Sequence, residues 1–81
     1  MSRSFTPRQR QVVGLLARGH SNVEIAAVLG ISPRTVRAHT DELRRRLGVA
    51  KRRRIPVAYL ETTGELPYEQ VGAVPGGPVQ K

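Results

Sequence analysis

The 81-residue chain has no cysteine and no tryptophan, one phenylalanine, two tyrosines and two histidines. Without cysteine there are no disulfides and no thiolate metal sites. His20 and His39 cannot complete a metal shell unaided, so packing alone must hold the fold together. No run is long and apolar enough to span a bilayer, and MSRSFTPRQR lacks an apolar core of the secretory kind; a cytoplasmic location is expected. Paired carboxylates, a nucleophile with its base and a phosphate-binding loop are all missing. A chain this short forms one small domain without a deep cleft. Neither an enzymatic activity nor a cofactor is expected.

Acidic residues are also scarce, six against fourteen Lys and Arg, for a formal net charge of +8. The imbalance is uneven. Thirteen of the fourteen basic side chains lie in residues 1–54, opposed only by Glu24, Asp41 and Glu42; the remainder carries Lys81 against Glu61, Glu65 and Glu69. A cation-rich front suits a polyanion, nucleic acid first among them, although a solvated arginine surface has the same composition.

Helix punctuation is clear. TPRQRQVVGLLARG predicts a helix capped by Thr6, with Pro7 at its first position, Gln9 completing a capping box, and Gly19 after its end. Val12, Val13, Leu15 and Leu16 supply its buried side. Gly14 in its interior costs about 1 kcal/mol relative to Ala, so this helix leans on tertiary contacts. SNVEIAAVLG repeats the grammar, with Ser21 as cap, Glu24 reaching back, Ile25, Ala26 and Leu29 inward, and Gly30 as stop. Val23 and Val28 are left on an exposed side. Only Ile31 and the capping Ser32 then precede Pro33, so a third helix turns sharply away and runs to Leu47, a length of about 22 Å. Val36, Thr40, Leu43 and Leu47 share one face of it; Arg34, Arg37, Ala38, Asp41, Arg44 and Arg45 occupy the other.

Two helices joined by a tight glycine turn, the second small and basic near its start, form a helix-turn-helix. In a major groove Arg37 could donate to O6 and N7 of a guanine, and Ala38 is small enough to let the helix approach. Ser32, Arg34 and Thr35 lie where they could meet phosphates. Asp41 has two readings, an acceptor for a cytosine amino group or a helix-surface partner of Arg37 or Arg45. His39 either meets a phosphate or edges the core beside Val36 and Leu43, and His20 reads as a loop residue.

The stretch SNVEIAAVLGISPRTVRAH, with TPR before it and LRRRLGV after it, resembles the LuxR-type helix-turn-helix domain of bacterial transcription regulators over residues 5 to about 54. The resemblance implies a four-helix unit whose third helix enters the major groove of double-stranded DNA and whose fourth often pairs two subunits on a two-fold site. It implies base reading by Arg37, Ala38 and Asp41. Backbone contacts would fall to Ser32, Arg34, Thr35, His39, Arg44, Arg45, Lys51, Arg52, Arg53 and Arg54. With five residues before Thr6, a stand-alone regulator without a receiver or ligand-binding domain is expected.

The largest departure from that pattern is KRRRIPVAYLETTG. Four successive cations would crowd the positive end of a helix, and Pro56 disfavours a helical Ile55. A short fourth helix is therefore expected from Pro56 to Gly64, with Val57 and Leu60, and Tyr59 as a further candidate, packed inward. Lys51 to Arg54 would be a loop or arm on phosphates, and the shortened helix would weaken the pairing surface for a homodimer. The expected fold is all-α, a small three- to four-helix bundle containing the helix-turn-helix. Residues 1–64 make the DNA-binding domain, and residues 65–81 an irregular, largely disordered Pro/Gly-rich tail in which Leu66, Tyr68 and Val71 are the apolar exceptions. Two other functions remain open at this point: a module resembling the fourth region of sigma factors, which would need RNA polymerase, and a protein-interaction adaptor with an acidic partner.

Overall fold

The first three expected helix starts each coincide with a side chain that closes on its own backbone. In the computed structural model, which describes residues 5–67, four helices follow one another: α1 (Pro7–Ala17), α2 (Asn22–Leu29), α3 (Pro33–Leu47) and α4 (Ile55–Thr63), the last preceded by a single 3₁₀ turn at Arg52–Arg54. Thr6 Oγ1 accepts from the Gln9 amide at 3.0 Å while Gln9 Oε1 accepts from the Thr6 amide at 2.9 Å. Ser21 and Glu24 make the same reciprocal pair at the start of α2. Among the described residues no helix is long and apolar enough to cross a membrane.

Gly30 and Gly48 end α2 and α3 with φ of +70° and +72°. That left-handed geometry suits a residue without Cβ, and it lets the next amide turn back: Ile31 donates to the Ala26 carbonyl and Val49 to the Arg44 carbonyl, both at 3.0 Å. The turn also delivers Ile31 and Val49 against the core, where both are partly buried.

The core draws on every helix. Val12, Val13 and Leu15 of α1, Ile25 of α2, Val36 and Leu43 of α3, and Ile55 and Tyr59 of α4 are all fully buried. Phe5, ahead of α1, seals one end; its ring meets Tyr59 edge-on at 5.3 Å, and the Arg46 guanidinium lies over it at 4.5 Å. Such contacts add roughly 0.5–1.5 kcal/mol each beyond area burial.

The fourth helix departs from expectation. It begins at Ile55, one residue before Pro56, and Ile55 is α-helical with φ −59° and ψ −48°. The local preference against a helical residue before proline is outweighed by complete burial of the Ile55 side chain, worth about 1.5–3 kcal/mol. Pro56 sits in the first turn, where its missing N–H leaves no hydrogen bond unmade. The earlier start rotates the buried face to Ile55, Ala58 and Tyr59. Val57 is consequently 50% exposed and Leu60 only half-buried, so the expected inward pair is corrected to Ile55 and Tyr59. The basic run is correspondingly a 3₁₀ turn leading directly into α4, and not a free loop. Val23 is 67% exposed, as expected, whereas Val28 packs half-buried against the core.

After α4 the chain reverses. Thr63 Oγ1 accepts from the Glu65 amide at 3.0 Å, Tyr59 Oη donates to Glu65 Oε1 at 2.5 Å, and Pro67 is buried. Ordered packing thus runs past residue 64. Of the tail expected to be largely disordered over residues 65–81, positions 68–81, with Tyr68 and Val71, lie outside the described residues.

The face assignment of α4 makes a measurable difference. Ile55→Ala should lower stability by about 2–5 kcal/mol and Val57→Ala should change it by no more than about 0.5 kcal/mol in urea unfolding; equal losses would mean that α4 packs on its other side.

Candidate nucleic-acid interface

Four residues bring α3 out of α2 at an angle. Gly30 closes α2, Ile31 drops into the core, and Ser32 adopts extended backbone geometry as the cap of α3. Ser32 Oγ accepts from the Thr35 amide at 3.1 Å and lies 2.9 Å from Thr35 Oγ1. Pro33, at the first helical position, needs no partner for its nitrogen. The two hydroxyls and the first free amide of α3 therefore open on solvent together, beside Arg34.

Along α3 the two faces separate as the sequence pattern required. Val36, Thr40 and Leu43 are buried; Arg34, Arg37, Ala38, Asp41 and Arg45 are exposed. Thr40 resolves its own burial by donating Oγ1–H to the Arg37 carbonyl at 2.9 Å. Among the described residues, the side chains of Arg34 and Arg37 make no hydrogen bond or ion pair, so both guanidinium forks are free to meet a ligand. His39 is half-buried at the boundary of the two faces.

Other cations are committed within the chain. Of the two readings of Asp41, a base contact or a pair with Arg37 or Arg45, the helix-surface pair forms within the chain but with Arg44, at 2.5 Å. The reason is a second bond that aims Arg44: its Nη1 donates to the Ala50 carbonyl at 2.9 Å, which fixes the guanidinium beside Asp41. Arg45 instead pairs with Glu42. Arg46 turns to Phe5 and donates to Gln9 Oε1 at 3.4 Å. Lys51, Arg53 and Arg54 are exposed on the 3₁₀ turn or next to it.

Arg52 behaves differently from its neighbours. Its Nη2 donates to the His20 carbonyl at 3.1 Å and to Asn22 Oδ1 at 2.9 Å, across some thirty residues of sequence. His20 is thus more than a loop residue. Its carbonyl holds Arg52, and its Nδ1 lies 3.5 Å from Glu24 Oε1. The Ser21 amide bond, then the His20 imidazole, hold the Glu24 carboxyl below its ordinary value of 4.5. Elsewhere, burial first and the Glu65 carboxylate second push the Tyr59 phenol above its ordinary value. Sequence reasoning missed the Arg52 clasp and the Phe5 lid. Each depends on partners distant in the chain, although an arginine run and a lone phenylalanine were visible.

Comparison with known proteins agrees with this geometry. A model of bacterial regulatory proteins of the luxR family matches residues 3–58. The chain is 44% identical over 45 residues to the transcriptional regulatory protein MctR of Rhizobium johnstonii, covering 56% of this chain and 21% of that protein. It is 51% identical over 46 residues to the transcriptional regulatory protein UhpA of Escherichia coli, covering 57% of this chain and 24% of that protein. The chain thus spans only a fifth to a quarter of the length of these curated relatives. Among solved structures, VqmA bound to DPO superposes with a TM-score of 0.68 at 27% identity, covering 84% of this chain and 35% of that one.

The α2 capping box carries a pH signature. Because the folded state lowers the Glu24 pKa, its contribution is present above the ordinary value of 4.5 and is lost as pH falls through the lowered one. Glu24→Gln, which keeps an acceptor for the Ser21 amide, should flatten the unfolding midpoint between about pH 3 and 5. Parallel acid profiles for the two proteins would contradict this.

Proposed function

The chain belongs to the luxR family of bacterial regulatory proteins, and from that premise we propose that it binds a specific double-stranded DNA sequence and regulates transcription, with α3 in the major groove. The observation that carries this reading is the pairing, on one helix, of a buried Val36–Thr40–Leu43 stripe with an exposed face where Arg34 and Arg37 have no internal partner. An α-helix has the width that the groove of B-DNA admits, and the first two turns of α3 come nearest to the base edges.

Within that pose, Arg37 reads a guanine through O6 and N7, and Ala38 permits close approach. Asp41 already gives one carboxylate oxygen to Arg44, so it ranks behind both. Ser32, Arg34, Thr35 and His39 meet phosphates at the start and edge of the helix, with Lys51, Arg53 and Arg54, and Arg45 on leaving its exposed pair with Glu42, extending the track. These cations supply a sequence-independent share of affinity that weakens with salt. The relatives named above are themselves transcriptional regulatory proteins, which supports a regulatory role over an adaptor that ignores sequence.

Selection of binding sites from random duplexes tests the reading. Arg37→Ala should relax preference at one base position by about 1–3 kcal/mol and leave the neighbouring positions intact. An unchanged selected sequence would remove Arg37 from the reading face. Two-fold symmetry of the selected sites would report pairing of two chains.

A further inference from the structure

Arg52 stands in a run of four cations that, taken as a row, invites assignment to the DNA backbone. Its geometry differs from that of the rest of the row. One terminal nitrogen spends two N–H donors inside the chain, on the His20 carbonyl and on Asn22 Oδ1. His20 ends the turn after α1, and Asn22 is the first residue of α2. The bond therefore joins the turn that enters α2 to the turn that leaves α3. Arg44 pins the same exit turn from the other side, through the Ala50 carbonyl. Between these two guanidinium groups the α2–α3 pair is closed into a loop fastened at both ends.

We infer that Arg52 is a positioning residue for DNA reading: it fixes the orientation of the α2–α3 pair against the exposed Lys51, Arg53 and Arg54, and it does not neutralise a phosphate. The inference rests on the DNA-binding reading above. Two of the five N–H donors of the Arg52 guanidinium are held by these acceptors, and Arg52 keeps both bonds only while its side chain stays folded against the start of α2. Arg53 and Arg54 have no such bonds among the described residues and can contact phosphate without rearrangement. A small error in helix orientation misaligns a two-bond contact to a base edge far more than it disturbs diffuse attraction to phosphates. The effect of losing the clasp should therefore fall on discrimination between sequences, and the number of phosphates engaged should stay the same.

Salt titration of binding separates the two roles, using the selected duplex and a scrambled duplex with wild type, Arg53→Ala, Arg52→Ala, Asn22→Ala and the double variant Arg52→Ala/Asn22→Ala. Arg53→Ala should reduce the slope of log affinity against log salt by about 0.9 on both duplexes. Arg52→Ala should change that slope by less than half as much while lowering the specific-to-scrambled affinity ratio about three- to tenfold, the size of a charge-assisted hydrogen bond diminished by exposure. Asn22→Ala should lower the ratio in the same direction, and the double variant should be no worse than Arg52→Ala. A slope change equal to that of Arg53→Ala with the ratio intact would make Arg52 a phosphate contact and overturn the inference, as would additive losses in the double variant. If Arg52→Ala fails to fold, Asn22→Ala, which removes one acceptor and no charge, decides: a lowered ratio supports the clasp and an unchanged one overturns it. A wild-type chain that binds both duplexes alike overturns the DNA reading itself, whereas failure of the clasp alone leaves preference intact in both wild type and Arg52→Ala.

Discussion

Burial of Val36 and Leu43 beneath an arginine face is the constraint on which the other features depend. Isolated helices of this length are marginal in water, and α3, with five arginines against Asp41 and Glu42, has little reason to persist alone. Each buried aliphatic contributes about 1.5–3 kcal/mol on leaving water. The opposing cations are exposed, where salt and solvent screen their repulsion. The apolar stripe can therefore hold a highly charged rod against the body of the domain. Thr40 belongs to that stripe only because its hydroxyl finds the Arg37 carbonyl, which leaves its methyl free to pack.

The same asymmetry sorts the arginines into two populations that composition cannot distinguish. Arg34 and Arg37 face outward without partners among the described residues. Arg44 and Arg46 join α3 to the rest of the chain, one through the Ala50 carbonyl, the other through Phe5 and Gln9. A guanidinium suits both tasks because its planar fork can lie on an aromatic ring, span two acceptors, or meet a base edge. Formal charge therefore overstates the number of side chains available to a polyanion, and the bonds made inside the fold identify which ones are committed.

What could be read from the sequence was local. The caps at Thr6, Ser21 and Ser32, the prolines beside two of them, and the glycine stops at Gly30 and Gly48 act within five or six residues, so the pattern TPRQ or SNVE contains its own physics. The two faces of α3 followed from its 3.6-residue period. Failures came where a distant partner decided the outcome. Ile55 is helical because the core takes its side chain, a fact absent from the dipeptide Ile-Pro that argues against it. Tyr59 outcompetes Val57 for the interior because Phe5, some fifty residues earlier, offers its ring an edge-on neighbour. Asp41 prefers Arg44 because Ala50 holds Arg44 in place, and the spacing rules for helix pairs contain no such term. The direct contacts proposed for Arg34 and Arg37 follow from the exposed pattern, whereas the role of Arg52 could be read only from coordinates.

Tyr59 has a consequence for spectroscopy. In a chain without tryptophan, a fully buried phenol hydrogen-bonded to a carboxylate is the dominant chromophore of the described interior. Its near-ultraviolet dichroism and its emission respond to ring immobilisation and to the Glu65 bond, both of which exist only while α4 is docked on α1 and α3. The domain thus contains an optical gauge of its own fourth helix, readable without any attached label.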